Sequence, residues 1–303
     1  MDPYIIGINW GSSNFRAFRI GLDGTVSGRI EQPRGIAGLE RAQMQALLEE
    51  VVAQWPHAAR IYASGMIGSN IGWRDAGYVE CPAALDVLAA HLHRTQIGAH
   101  AVAIVPGLAC RRADGAPDIM RGEETELLGL IAAGALPANG LVALPGTHSK
   151  WVQLQDGAVA SFVTAMSGEI FDRLTAAGLL ASVVDGPAED GPAFRAGVQA
   201  GHHGAGLGTL LFGARARVIR GDLARRDGAS YLRGVLIGAE LADVVRLWPA
   251  ALAHDIPLVG AAPVCSLYAH AVQALGGQGH GIASHAASTR GFHALHQAAE
   301  ALA

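Results

Sequence analysis

The feature that most constrains the fold of this chain is a strand–loop–strand unit that occurs twice. In the first copy, a short apolar segment leads into a small polar loop, a second strand, a two-residue hairpin turn and a third strand. These parts are, in order, Tyr4 to Trp10, Gly11 to Asn14, Phe15 to Ile20, Asp23-Gly24 and Thr25 to Ile30. An Asp-Gly pair between two β-rich segments is a strong hairpin signal.

The second copy follows about halfway along the chain and keeps the same order of parts. Its parts are Leu141 to Leu144, Gly146 to Ser149, Trp151 to Leu154, Asp156-Gly157 and Ala158 to Val163. Such self-similarity predicts a duplicated architecture. Hairpins with Asp-Gly turns are also common in unrelated mixed folds, and that alternative stays open here.

Each small-residue loop leads into a strand. In Rossmann and P-loop nucleotide-binding units the glycine loop instead opens a helix, so the sequence predicts neither. A hairpin loop of Gly, Ser and Asn can still present backbone N–H groups to a phosphate chain, because no bulky Cβ blocks the approach.

If the duplication is real, two such loops can clamp the phosphates of one nucleotide from both sides of an interdomain cleft. The pattern resembles the actin, hexokinase and heat-shock chaperone ATPase superfamily. The resemblance implies an α/β fold of two ribonuclease H-like domains, each with a five-stranded mixed sheet. We expect the domains at residues 1–139 and 140–303, with the last helix, from about Arg290, packing on the first domain.

Composition narrows the class of protein. The chain of 303 residues is 50% hydrophobic and has a formal net charge of -4, without a long run of Lys or Arg. This argues against nucleic acid or an anionic membrane as partner. Cys81, Cys110 and Cys265 lie too far apart for a typical zinc motif, and buried thiols are expected. The N-terminus lacks the features of a secretion signal, so we expect a cytoplasmic protein, and a homodimer is one state that the sequence allows.

Several motifs together resemble the 2-dehydro-3-deoxygalactonokinase family. They spread over more than half of the chain in the family's order: Ile8 to Ala17, Ser64 to Trp73, Val105 to Leu108, Met120 to Glu126, Pro145 to Val152 and Met166 to Glu169. The resemblance implies an enzyme that uses ATP and Mg²⁺ to phosphorylate the terminal (C6) hydroxyl of 2-dehydro-3-deoxy-D-galactonate. Where this chain has Asn9, the family usually carries an Asp that helps to hold the magnesium hydration shell. Asn9 can still bond a coordinated water, without the charge.

Glu123 and Glu124 are the candidates for the catalytic base, and the resemblance slightly favours Glu124. Both stand at a predicted loop-to-helix junction, where hexokinase-like enzymes place their catalytic carboxylate. Acidic residues at a helix start also interact favourably with the helix dipole, and that structural role is the alternative.

The remaining candidate site residues follow from the same motifs. The nucleotide is expected to contact Gly11, Ser12, Ser13, Asn14, Gly146, Thr147, His148 and Lys150 through its phosphates, and Gly260 and Ala261 through adenosine. The sugar acid is expected to contact Arg16, Met66, Ser69, Asn70, Trp73, Arg121 and Lys150. An arginine can hold a carboxylate with two parallel bonds, which favours Arg121 for that role.

An ion pair is the alternative for Arg16, and a core position is the alternative for Trp73. The pair His202-His203 is predicted to lie in a surface loop rather than to bind a metal. For the whole chain, the alternatives are a kinase for a different sugar acid or polyol, and a non-catalytic nucleotide sensor or scaffold motivated by Asn9. An actin-like filament or chaperone ATPase is disfavoured by the short length.

Overall fold

A computed structural model describes residues 2–112 and 114–302 as a mixed α/β protein. Its strands are β1 (Tyr4–Trp10), β2 (Phe15–Gly21), β3 (Val26–Gln32), β4 (Arg60–Gly65), β5 (Tyr78–Glu80), β6 (His93–Ile97), β7 (His100–Ile104), β8 (Gly107–Arg111), β9 (Pro117–Met120), β10 (Gly140–Leu144), β11 (Ser149–Gln155), β12 (Ala158–Ala165), β13 (Asp255–Gly260) and β14 (Gln278–Ala283).

The helices complete the layout. They are α1 (Arg41–Gln54), α2 (Leu85–Ala90), α3 (Glu123–Ala132), α4 (Ser167–Ala176), α5 (Pro192–His203), α6 (Leu207–Arg220), α7 (Gly228–Leu247), α8 (Ala262–Ala274) and α9 (Ser284–Ala301). Within the described residues, no helix has the length and apolar character needed to cross a membrane.

The chain divides into two compact units. The first unit comprises Met1–Asn139, Gln153–Phe162 and Ser284–Ala303, and the second comprises Gly140–Val152 and Val163–Ala283. The first unit therefore includes α9 and the outer part of the β11–β12 hairpin.

The first unit contains a six-stranded sheet in the order β3-β2-β1-β4-β7-β6. Strand β1 pairs antiparallel with β2 and parallel with β4, and the core of this unit lies between the sheet and α1. The expectation of five strands is wrong for this sheet, because a hairpin at Gly98, which has a φ of 58°, brings in both β6 and β7. A separate three-stranded sheet, β5-β8-β9, was not predicted either.

The second sheet has the predicted five strands, in the order β12-β11-β10-β13-β14. Strands β13 and β14 are parallel, and α8 joins them. Because parallel strands joined by a helix bury both faces, β13 is almost wholly apolar and buried. Trp151, Ile237 and Tyr268 belong to the core that covers this sheet.

The repeated layout of the sequence is present, with each loop and each Asp-Gly turn between the predicted strands. The second turn has φ of 52° at Asp156 and 78° at Gly157, as a type I′ hairpin turn requires. The first turn has φ of 86° at Gly24.

Two predictions about helices are wrong. Residues His202 and His203 form the last turn of α5 instead of a surface loop. The neighbouring Gly201 suggested a loop, but it lets α5 approach α7: a Cβ there would lie 2.2 Å from the carbonyl oxygen of Val235. The last helix begins at Ser284, not near Arg290.

Helix α3 is unusual because its first turn is both acidic and buried. Glu124 and Glu126 are buried, and the helix packs closely on α9. The contact needs glycine on both helices: a Cβ on Gly129 would lie 2.2 Å from Gly291 Cα, and one on Gly291 would lie 2.2 Å from Thr125 O. This close packing holds the acidic turn of α3 in a fixed position.

Candidate active site

The first small-residue loop lies at the carboxyl end of β1. The segment after β3 fixes its backbone, because Ile36 N donates to Gly11 O (2.9 Å) and Ala37 N donates to Ser12 O (3.1 Å). The side chains of Ser12, Ser13 and Asn14 are exposed. The loop is thus held from behind through its carbonyls, while its short polar side chains remain accessible.

Asn9 belongs to a hydrogen-bonded triad with two residues that the sequence analysis did not select. Its Nδ2 lies 3.3 Å from Glu126 Oε1 and 3.3 Å from Ser288 Oγ, and Ser288 Oγ donates to the same Glu126 oxygen at 2.6 Å. Burial raises the pKa of Glu126 to about 7. The amide of Asn9 is thus oriented, with its nitrogen towards a buried carboxyl group.

Glu124 is completely buried at the start of α3. Its Oε2 accepts the N–H of Gly122 at 2.5 Å, and its Oε1 accepts the hydroxyl of Thr125 at 3.1 Å. Burial, assisted by the nearby charge of Glu123, raises the pKa of Glu124 to about 8. Glu123 is only half-buried and accepts the N–H of Arg121 at 3.2 Å.

The same junction carries Arg121, a cation with only 5% of its side chain exposed. Its Cζ lies 4.3 Å from the centre of the Tyr78 ring, and its Nη2 donates to Gly77 O at 3.0 Å. Asp75, at 3.7 Å, is mostly exposed. Nε and Nη1 are buried and have no hydrogen-bond partner among the described residues, which is a costly state for a guanidinium. The arrangement leaves two donor nitrogens for an anion.

Glycine allows these parts of the first unit to meet. Gly65 ends β4 with φ of 92°, and a Cβ on it would lie 2.7 Å from Trp10 O. A Cβ on Gly122 would lie 3.2 Å from Gly65 Cα. The structure thus brings together the carboxyl ends of β1 and β4 and the start of α3. At the same end of β4, the buried Ser64 Oγ has no partner within the part of the chain that the structure describes.

Other candidate substrate residues are engaged elsewhere. Arg16 Nε pairs with Glu31 Oε1 across β2 and β3 at 2.9 Å, in agreement with the ion-pair alternative. Trp73 Nε1 donates to Gln96 O at 3.0 Å, and its ring packs on the core of the first unit. Ser69 Oγ donates to Met66 O at 2.7 Å.

Asn70 and Met66 differ in their surroundings. The side chain of Asn70 is exposed, whereas Met66 packs partly against the core. Asn70 is therefore exposed, whereas the nearby polar residues Ser64 and Ser69 are buried.

The second small-residue loop joins β10 to β11 in the second unit. Thr147 and His148 are exposed, and His148 Nε2 lies 2.7 Å from Glu169 Oε2. Glu169 N donates to Thr147 O at 2.9 Å. A Cβ on Gly168 would lie 2.2 Å from Gly146 O, so the first turn of α4 lies directly against the loop. The hydrogen bond to Glu169 orients the imidazole of His148 beside the loop.

Lys150 follows this loop on β11 and is buried. Its Nζ donates to Thr164 Oγ1 on β12 at 2.8 Å. The ammonium is therefore tied to the neighbouring strand, within the second unit.

A groove of about 320 Å³ opens at the carboxyl ends of β13 and β14. Gly260, Cys265, Ser266 and Gly281 are among its lining residues, and Ala261 follows Gly260 at the start of α8. Ligands of open α/β sheets bind at this end of parallel strands. The location suits the adenosine contact predicted for Gly260 and Ala261.

Magnesium fits the first unit only as an ion carried in by a ligand. Among the described residues there is no group of three or more His, Cys, Asp or Glu that could hold a metal. Asn9 turns its amide nitrogen to Glu126, which leaves its oxygen as the acceptor towards a coordinated water. Mg²⁺ in phosphotransferases keeps several waters and relies on substrate phosphates, and such an ion would fit this donor set.

The chain is similar to known proteins over most of its length. The family model described as 2-keto-3-deoxy-galactonokinase matches residues 9–295. A 2-dehydro-3-deoxygalactonokinase of Escherichia coli (strain K12) is 34% identical over 277 residues, which is 91% of each protein. The crystal structure of a candidate 2-dehydro-3-deoxygalactonokinase from Sinorhizobium meliloti has 34% identity and a TM-score of 0.88, with 99% of each chain covered.

A more distant structure shares the fold. A candidate N-acetylglucosamine kinase from Porphyromonas gingivalis has 13% identity and a TM-score of 0.51, with 96% of this chain and 98% of that chain covered. The expected actin/hexokinase-like ATPase fold is therefore confirmed.

Proposed function

This chain belongs to the 2-keto-3-deoxy-galactonokinase family, and on that premise we propose that it phosphorylates the C6 hydroxyl of 2-dehydro-3-deoxy-D-galactonate with ATP. The enzyme is then a phosphotransferase with an alcohol group as acceptor. The family match covers residues 9–295 and therefore includes both small-residue loops and the acidic start of α3.

The observation that carries the substrate class is the state of Arg121. A buried guanidinium with unpaired Nε and Nη1 needs an anionic acceptor, and the carboxylate of a sugar acid supplies one. Tyr78 holds the guanidinium plane, so little conformational freedom is lost on binding. A neutral polyol would leave these donors unsatisfied.

ATP is the phosphoryl donor. Phosphate contacts are proposed separately for the loop at Gly11 to Asn14 in the first unit and for the loop at Gly146 to His148 in the second, and the adenosine contact for the groove beside Gly260 and Ala261. Asn9 would contact the hydration shell of a Mg²⁺ carried in by the nucleotide, and that ion would neutralise charge on the phosphates. Lys150 contributes positive charge beside the second loop.

The chemical step needs a proton acceptor. The C6 oxygen forms a bond to the γ-phosphorus while the bond from that phosphorus to the β–γ bridging oxygen breaks, and ADP leaves with that oxygen. The hydroxyl proton passes to a carboxylate, for which Glu124 is the proposed base. Its raised pKa, about 8, makes the ionised form a strong proton acceptor near neutral pH.

A coupled ADP-release assay tests the proposal. The chain is offered 2-oxo-3-deoxy sugar acids of six carbons, their epimers, related aldonates, and neutral polyols of the same length. ADP release that depends on 2-dehydro-3-deoxy-D-galactonate is expected, and the neutral polyols should give at most background. Nucleotide binding without turnover on any acid would instead favour the sensor or scaffold.

The substitution Arg121→Lys should weaken binding of the acid selectively. Lysine keeps the charge but loses the planar donors and the contact with Tyr78, so we expect KM for the acid to rise about tenfold while KM for ATP stays constant. Initial rates with each substrate varied in turn measure both constants. An unchanged KM for the acid would remove Arg121 from the substrate site.

A further inference from the structure

A chain of buried hydrogen bonds connects the second small-residue loop to a carboxylate. Gly146 N donates to Ser149 Oγ at 3.3 Å, and Ser149 Oγ lies 2.7 Å from the hydroxyl of Tyr268. Tyr268 in turn donates to Glu240 Oε2 at 2.9 Å. Ser149, Tyr268 and Glu240 are all buried, so the chain runs from the loop into the core of the second unit.

Glu240 accepts two further hydrogen bonds. Trp151 Nε1 donates to Oε1 at 2.6 Å, and Ser167 Oγ donates to Oε2. Burial raises the pKa of Glu240, whereas the hydrogen bonds from Ser167, Trp151 and Tyr268 act against that rise by favouring the ionised form. Three hydrogen-bond donors thus surround the Glu240 carboxyl group, so its oxygens act as acceptors.

The acceptor at the end of the chain determines the direction of each bond. A hydroxyl has one proton, so once Tyr268 donates to Glu240 its oxygen can only accept from Ser149. Ser149 then commits its proton to Tyr268 at 2.7 Å rather than to Gly146 O, which lies 3.5 Å away, and accepts the N–H of Gly146 at 3.3 Å. The Glu240 carboxylate therefore holds the Gly146 peptide in one orientation.

Glu240 also fixes the other side of the loop. Ser167, which donates to Glu240, is the first residue of α4. The next two residues of α4 contact the loop, Gly168 through its close approach to Gly146 O and Glu169 through its bond to Thr147 O. One buried carboxyl group thus anchors both elements that shape the loop.

We propose that Glu240, acting through Tyr268 and Ser149, is a positioning residue that holds the second loop in the conformation that binds the ATP phosphates. The inference rests on the proposed function, because it takes this loop as a phosphate site. Glu240 does not touch the substrates in this role.

The sharpest test is Tyr268→Phe, because it removes the hydroxyl that links Glu240 to Ser149 and keeps the buried ring. Tyr231→Phe is the matched control: it removes another hydroxyl of the second unit, one that accepts from Arg217 Nε at 2.8 Å outside this network. We expect the Kd for ADP and for a non-hydrolysable ATP analogue to rise about fivefold to tenfold in Tyr268→Phe only. KM for ATP should rise likewise, with KM for the sugar acid unchanged.

Glu240→Gln provides a second test, because it replaces one acceptor oxygen by a donor nitrogen and so changes the direction of the hydrogen bonds. While its oxygen accepts from Trp151, the amide nitrogen would face Tyr268 and Ser167 as a donor, and this reverses the chain towards Ser149. Nucleotide affinity should fall at least as far as in Tyr268→Phe. If Glu240→Gln does not fold, Tyr268→Phe decides alone.

The outcomes separate this role from a merely structural one and from the proposed function. Wild-type nucleotide affinity in Tyr268→Phe, or an equal loss in Tyr231→Phe, overturns the positioning role even if the thermal midpoint falls. A wild-type chain that binds no nucleotide overturns both proposals. A chain that binds nucleotide without phosphorylating any acid overturns the proposed function, and the affinities of the two Tyr→Phe variants still decide the role of Glu240.

Discussion

Replacing Glu124 by Gln is expected to lower kcat at least about a hundredfold, the lower end of what general-base catalysis contributes. At neutral pH much of Glu124 is protonated, because burial and Glu123 raise its pKa to about 8. The neutral isostere can still accept the N–H of Gly122, so folding should be preserved. Stopped or coupled assays at saturating ATP and acid measure the effect, with thermal midpoints as the control for folding.

The neighbouring Glu123→Gln distinguishes the two carboxylates. Because the base must be ionised, kcat/KM of the wild-type enzyme should rise with pH through about 8. The charge of Glu123 contributes to the raised pKa of Glu124, so its removal should move this rise in kcat/KM to lower pH while kcat at high pH is unchanged. If Glu123→Gln loses most of its kcat while Glu124→Gln stays active, Glu123 is the base instead of Glu124. Losses below tenfold in both would exclude either as the base.

Local signals in the sequence predicted the strands and turns that carry the site. The positive φ values of Gly24, Asp156 and Gly157 are the conformations that an Asp-Gly turn favours, and the loops precede the predicted strands. Arg121 and the Glu pair were selected through family motifs, and the structure adds the burial of Arg121 and Glu124.

Partners that are distant in sequence could not be predicted in this way. Glu126 meets Asn9 and Ser288 only through the packing of α3 on α9, and Glu240 meets Ser149 only through Tyr268. The same limit explains the error at His202, where Gly201 serves helix packing and not a loop. A charged residue within an otherwise apolar segment, as at Glu126 and Glu240, was the available signal, because such residues are rarely buried without partners.

The hydrogen bond from Asn9 to Glu126 determines the expected effect of Asn9→Asp on stability. A new carboxylate there would remove the donor to Glu126 and place two acidic groups about as close as the present 3.3 Å contact. Two carboxyl groups in one buried site cannot both ionise without cost, so the variant should lose about 3 kcal/mol of unfolding free energy at pH 8. Chemical denaturation measures the loss, which should shrink at pH 5, where the pair can hold its protons.

The double variant Asn9→Asp with Glu126→Gln is the decisive comparison. It returns an amide donor to the pair and keeps one charge, now on β1, so it should recover most of the stability that Asn9→Asp loses. With folding restored, the double variant also isolates the effect of an aspartate at this position on magnesium binding. We expect ATP binding to require less Mg²⁺ than in the wild type, because a carboxylate attracts the hydrated ion more strongly than an amide does. If the double variant instead loses as much unfolding free energy as the two single variants together, the Asn9–Glu126 contact carries no coupling.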